Sequence, residues 1–280
     1  MRTQIREVRY QSSQYMRVLL FPVRTKGGAA GKSRRAKGQP TSAVQAALNA
    51  RNAARLLSDI IHLNFTPDDC AIHPTYADGF MPETEEEAQK NVQNYIRRLR
   101  RAYVRVNGTA EGFKYVYVTE KTKKGRFHHH FIVSAPGVTY REMIECWGMG
   151  RCNPRPLEFD EHGLLGLSHY LVKDPVGSRR WGCSKGLARP AARENDSRFS
   201  QKDAASLCGD KPDVDTIAKK YYKDFTISDV QSVVTAGGSF IELFLYRTDN
   251  KYFHYDRWGR IHYGFANDVR HRRDDVAFGK

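Results

Sequence analysis

Residues 114–120 (KYVYVTE) and 126–134 (RFHHHFIVS) alternate along their length with the period of two expected of strands. The connection between them, KTKKG, is short enough that the two strands must return on each other as an antiparallel hairpin, with Gly125 suited to the turn. That pairing constrains the chain more than any other feature. Side chains alternate across a strand, so His128 and His130 share one face while His129 points to the other. If the hairpin turns around Lys123–Lys124, Glu120 lies across from residues 127 and 128. Two imidazoles and a carboxylate then come within reach of one ion and leave coordination positions open for a phosphate oxygen. Histidines in a strand also occur as plain surface or core polar groups. On this register His129 faces away from the site, and its replacement by alanine is expected to be mild.

The flanking elements alternate between the two periods. Residues 42–58 follow a helical pattern, and IIHLNFT (60–66) alternates as a half-buried strand should, ended by Pro67. A helix begins at Thr84, where Thr84 and Glu87 form a capping-box pattern. Its apolar face is Ala88, Val92, Tyr95/Ile96, Leu99 and Tyr103, and Arg97, Arg98, Arg100 and Arg101 lie outside. Another helix is expected from Thr139 to Trp147, followed by the turn-rich WGMGRCNPRP, and a short one over about 163–173, closed by Asp174–Pro175. Residues 189–212 are polar and read as a loop. A helix is expected near 213–223 and a strand at 239–247 (SFIELFLYR). The order describes an α+β fold with a largely antiparallel sheet covered by helices. The chain divides into an N-terminal extension with a basic loop and a helix (1–55), a central domain (56–190) and a smaller C-terminal α/β extension (191–280).

Charge narrows the partner. Lys and Arg number 46 against 31 Asp and Glu, a net charge of +15, which draws a protein toward polyanions, nucleic acid first among them. A solubilising surface or anionic lipid is the plainer alternative. The run RTKGGAAGKSRRAKGQPTS (24–42) reads as a flexible basic loop. It mimics a phosphate-binding P-loop, but Lys26 stands where that motif needs glycine, and no helix pattern follows. No apolar run is long enough to span a membrane, and the first ten residues lack the apolar core of a secretory signal. Five cysteines without a CxxC spacing are read as reduced thiols, which fits a cytoplasmic location.

Ser168-His169-Tyr170-Leu171-Val172-Lys173 forms a helical segment with Leu164, Leu167 and Leu171 as its buried stripe. Tyr170 and Lys173, three apart, are neighbours at its edge. A core-edge tyrosine would show the same pattern. A nucleophilic phenol would gain from the nearby ammonium.

Taken in order, HLNFT (62–66), YIRRLRR (95–101), VTE (118–120), RFHHHFIV (126–133), WGMGR (147–151) and YLVKD (170–174) resemble the HUH endonuclease superfamily. They are most similar to the rolling-circle replication-associated (Rep) proteins of phages, plasmids and bacterial mobile elements. The resemblance covers roughly residues 55–190, and WGCSKGLARP (181–190) extends it. It implies a five-stranded antiparallel sheet of the HUH, RRM-like kind. It also implies a divalent ion, Mg²⁺ or Mn²⁺, on His128, His130 and Glu120, and Tyr170 as the nucleophile assisted by Lys173. The activity implied is nicking and rejoining of single-stranded DNA through a 5′-phosphotyrosine. The partners implied are a single-stranded DNA origin and a host helicase and polymerase, in the cytoplasm of a bacterial host. Arg97, Arg98, Arg100, Arg101, Lys123, Lys124 and Arg126 are the candidate DNA contacts. This sequence departs from the family in having histidine between the two ligand histidines, where a bulky apolar residue is usual. Two further readings stay open: a relaxase or transposase of the same superfamily, and a non-catalytic single-stranded nucleic-acid-binding module. A 2-His-1-carboxylate oxygenase fits less well, because the chain lacks the H-x-D/E that such sites use.

Overall fold

A computed structural model describes residues 3–24, 43–166, 181–235 and 238–264. The basic loop from residue 25 onward, Tyr170, Lys173 and most of the short helix expected over 163–173 lie outside the described residues. The described elements group into two compact units.

The first unit is built on five strands: β1 (Thr3–Gln11), β2 (Tyr15–Arg24), β8 (Arg193–Phe199), β9 (Phe225–Thr235) and β10 (Gly238–Arg247). They form an antiparallel sheet in the order β8-β1-β2-β10-β9. One face carries Ile5, Val18, Leu20, Ile241, Leu243 and Leu245. This face packs with Ile217 and Tyr221 of a helix, α5 (Val214–Tyr221), and with Leu207, which follows the short α4 (Gln201–Ala205). Glu7 is fully buried, accepting hydrogen bonds from the Tyr222 hydroxyl at 2.6 Å and from Arg198 Nη1 at 3.2 Å. The helix near 213–223 and the strand at 239–247 form as expected. Residues 193–205, read as loop, instead supply β8 and α4. β8 pairs with β1 alone at the edge of the sheet and carries Arg193, Glu194, Asp196 and Arg198. An edge strand with charged side chains shows no apolar alternation to read. The N-terminal strands and residues 193–247, which the sequence assigns to two separate extensions, share this one sheet.

The second unit holds the sheet that the hairpin argument anticipates. Its strands are β3 (Cys70–Ile72), β4 (Lys114–Lys121), β5 (Phe127–Ser134), β6 (Pro154–Pro156) and β7 (Gly182–Cys183). The five are antiparallel, in the order β6-β3-β5-β4-β7. The fold is α+β, with helices on the sheet. Helix α2 (Glu85–Asn107) starts at the Thr84–Glu87 capping box, with three glutamates in its first turn, and ends at the left-handed Gly108. Its Ala88, Val92, Tyr95, Leu99 and Tyr103 form a core with Phe127, Phe131 and Val133 of β5, and with Met143 and Trp147 of helix α3 (Tyr140–Trp147).

Residues 60–64 are helical rather than extended: α1 runs Ala43–Asn64. Ser58 to Phe65 are all buried except the half-buried Leu63, so apolar side chains occur on every side and the pattern carries no decisive period. Asn64 closes the helix by donating from Nδ2 to the Ile60 carbonyl at 2.8 Å.

The WGMGR segment locks the chain after β3 in place. Backbone bonds run from Thr75 to Arg151 (2.8 Å) and from Ala77 to Met149 (2.9 Å), and the fully buried Trp147 donates from Nε1 to the Thr75 carbonyl at 2.8 Å. Gly148 caps α3 with φ +65°. Gly150, at φ +149°, passes so close that a Cβ would lie 2.5 Å from Ala77 N and Thr75 O. Gly150→Ala is therefore expected to lower stability by about 2 kcal/mol or more, read as the urea midpoint. A wild-type midpoint would refute this close approach.

Candidate metal centre

The β4–β5 register pairs Glu120 with His128, Thr119 with His129 and Val118 with His130. The turn closes through Thr122 N to Arg126 O and Gly125 N to Thr122 O, both 2.8 Å, with Gly125 at φ +81°. Strand alternation sends Phe127, His129, Phe131 and Val133 toward the α2–α3 core. His128, His130 and Glu120 project from the opposite face.

On that face the three side chains converge. Glu120 Oε2 lies 2.9 Å from His128 Nε2 and 3.3 Å from His130 Nε2. An ion holding ligands at about 2.1 Å at right angles separates neighbouring ligand atoms by about 3 Å, so these spacings suit one ion. Burial by itself would raise the Glu120 carboxyl pKa. Hydrogen bonds from His128 and His130, and their charge, outweigh it and hold the carboxyl down at about 2. The group is thus a carboxylate beside two imidazoles, a donor set of net negative charge when the rings are neutral. Two nitrogens and a carboxylate suit a divalent transition ion and leave coordination positions open. Glu120 and His130 are buried and His128 is half-buried, so the opening lies on the His128 side. His128 Nδ1 is buried with no hydrogen-bond partner among the described residues, so Glu120 alone orients that ring.

His129 does face away from the cluster, as the alternation requires, but it is not dispensable. It is fully buried, with Nδ1 3.0 Å from Thr119 Oγ1 and Nε2 2.8 Å from the Tyr76 hydroxyl. A neutral imidazole donates at one nitrogen and accepts at the other, and each hydroxyl can take the complementary role. Desolvation, then the neighbouring His128 and His130, push its pKa down to about 3, so it is a neutral core residue. A strand pattern shows that a residue points inward but not that a partner waits for it, so the mildness expected of His129→Ala is corrected here.

Sequence reasoning missed His73. Its ring meets that of His130 edge-on at 4.4 Å between centroids. Burial, then His130, Arg155 and His128, lower its pKa to about 4. A lone histidine just after a three-residue strand carried no signal of that placement.

The candidate DNA contacts divide by what holds them. Arg97, Arg98, Arg100 and Arg101 are exposed on α2, and Lys123 and Lys124 are exposed in the hairpin turn. Arg98 caps α3, donating from Nη1 to the Cys146 and Trp147 carbonyls at 2.8 and 3.1 Å. Arg126 is tied to Asp78 Oδ1 at 2.6 Å and to the Tyr76 carbonyl at 2.9 Å. No helix among the described residues is long and apolar enough to cross a membrane.

Residues 70–174 match the family model of the replication-associated protein of the ORF2 and gene II protein type. That match supports a Rep-type replication protein. Its span encloses Glu120, His128 and His130, and also the positions of Tyr170 and Lys173 in the sequence. No curated protein and no solved structure matches the chain.

Two outcomes are expected. In calorimetry with Mn²⁺, the wild-type chain binds one ion, and Glu120→Gln, His128→Ala and His130→Ala each weaken binding at least about tenfold. Equal affinity in all four proteins would remove the site. His129→Ala leaves the Tyr76 and Thr119 hydroxyls buried without their partner and is expected to cost about 2–4 kcal/mol of stability in urea titration. An unshifted midpoint would contradict the strut role.

Proposed function

We propose that this chain is a rolling-circle replication initiator that cuts and rejoins single-stranded DNA through one tyrosine. The observation that carries the reading is the Glu120–His128–His130 cluster, in ligand spacing, inside the segment that matches the Rep-type family model. The basic charge supports a nucleic-acid substrate.

A bound divalent ion would supply Lewis acidity toward a non-bridging oxygen of the scissile phosphate. Glu120, His128 and His130 hold that position, and His129 keeps their strand in register. Tyr170 is the nucleophile: its phenolate oxygen bonds to phosphorus, the bond from phosphorus to the 3′-oxygen breaks, and that oxygen takes up a proton. The products are a 5′-phosphotyrosine and a free 3′-OH that a host polymerase can extend while a host helicase opens the duplex. Because the phosphodiester energy is kept in the tyrosine linkage, attack by a 3′-OH reverses the step and rejoins the strand. Lys173, one helical turn from Tyr170 in the sequence, stabilises the phenolate. Arg97, Arg100, Arg101, Lys123 and Lys124 contact phosphates along the strand. Arg98 and Arg126 contribute less, since protein groups already occupy their guanidinium donors.

The test is covalent capture. Incubating the chain with a pool of single-stranded circles and Mn²⁺, then mapping the adduct, should place DNA on the peptide containing Tyr170. Tyr170→Phe should form no adduct and cut no strand while retaining wild-type stability. Lys173→Ala should slow cutting, with partial recovery at higher pH. An adduct on Tyr140, Tyr221 or Tyr222 would displace the nucleophile, and full activity in Tyr170→Phe would end the enzymatic reading.

A further inference from the structure

A small hairpin in the second unit has a tip that no part of the chemistry above uses. Strands β11 (Phe253–Tyr255) and β12 (Ile261–Tyr263) pair antiparallel. The base is anchored: Phe253 is buried, the Tyr252 ring packs at 4.9 Å against Phe159, and Gly264 N donates to the Tyr252 carbonyl at 2.7 Å. The tip is held by Asp256, whose carboxylate accepts from Trp258 N at 2.9 Å, Arg260 N at 3.0 Å and Arg260 Nε at 2.8 Å. The backbone bonds Asp256 N to Arg260 O and Gly259 N to Asp256 O close the turn.

What this ordered turn holds outward is an indole. Trp258 is 64 % exposed, whereas Trp147 is fully buried. Two guanidinium groups lie on its ring, Arg257 at 4.0 Å and Arg260 at 4.8 Å from the centroid. Arg257 has no acidic partner among the described residues, and Tyr255 on the same hairpin is 47 % exposed. Residues 251–263 carry Lys251, Arg257 and Arg260 against Asp256, an excess of positive charge. A rigid aromatic surface beside cations is what an unpaired base and its phosphates require: the base stacks on the ring and the cations meet the backbone. Paired bases stack on each other inside a duplex and do not offer their faces.

We propose that the β11–β12 hairpin is a binding site for single-stranded DNA, with Trp258 as the base-stacking platform and Arg257 and Arg260 as its phosphate contacts. The site gives the initiator a hold on the unpaired strand that does not depend on the metal cluster. It rests on the initiator reading for the identity of the nucleic acid.

The test uses the full chain in EDTA, titrated with a short oligothymidylate and followed by tryptophan fluorescence. Wild-type emission should be quenched at saturation. Trp258→Phe should lose most of the quench but keep affinity within about threefold, since a ring remains. Trp258→Ala should bind about fivefold or more weakly. Arg257→Gln and Arg260→Gln should each flatten the salt dependence by about 0.7 in logarithmic slope. Unchanged affinity in Trp258→Ala, or no quench of the wild type at saturation, would overturn the site, as would quenching by a protein partner and not by the oligonucleotide. Strand cutting with Mn²⁺ is measured in parallel. Quench without cutting would sink the initiator reading and keep the platform. Cutting without quench would do the reverse.

Discussion

Everything at the candidate centre depends on which residues of β4 face which residues of β5. Slipping an antiparallel pair by one residue moves every side chain of one strand to the other face of the sheet. A slip here would bury the two ligand histidines in the α2 core and expose His129. The chain guards the register with polar pairing inside the core. His129 sits between the Thr119 and Tyr76 hydroxyls, and a displaced strand would bury an imidazole and two hydroxyls with their hydrogen bonds unmade. An apolar residue at this position would pack but would be less exacting about register, because dispersion contacts are not directional. The departure at the middle histidine thus has a structural account that does not involve binding an ion.

The register is then tied to the rest of the unit. Tyr76 belongs to the stretch after β3, which pairs backbone to backbone with residues 149–153 and touches the histidine strand through the Thr75–His128 bridge and the bond from His129 N to Pro74 O. Trp147 and Gly150 set how closely that stretch approaches. The W-G-x-G pattern therefore serves the metal centre indirectly: a buried indole fastens Thr75, a left-handed glycine ends α3, and a second glycine allows two backbones to meet where a Cβ would collide. Arg98 and Arg126, counted as DNA contacts from their charge, join the same framework through carbonyls of α3 and of Tyr76. Charge in a sequence shows that a residue can meet a phosphate but not whether the fold has already engaged it.

Local patterns were legible wherever a single period dominated. The β4–β5 hairpin, the capping boxes at Thr84 and Thr139, the amphipathic α2 and the Glu120–His128–His130 grouping follow from residue order alone, because each arises within a few dozen residues from alternation, helical spacing or a cap. The reading failed where environment overrode pattern. Residues 60–64 are buried almost all round and so offer no face, and β8 is a charged edge strand that pairs on one side only.

The sequence by itself determined the hairpin, its turn, and therefore which two histidines can share a carboxylate, since the pleat of a strand allows only one face for residues two apart. Tertiary structure alone decided the rest: that β1 and β2 share a sheet with strands some two hundred residues later, that His73 lies against His130, and that His129 is a buried strut with Tyr76. The physical reason is the same in each case. Backbone hydrogen bonds between strands look alike whichever strands make them, and a side chain's burial and partners are set by distant segments that leave no trace in its own neighbours along the chain.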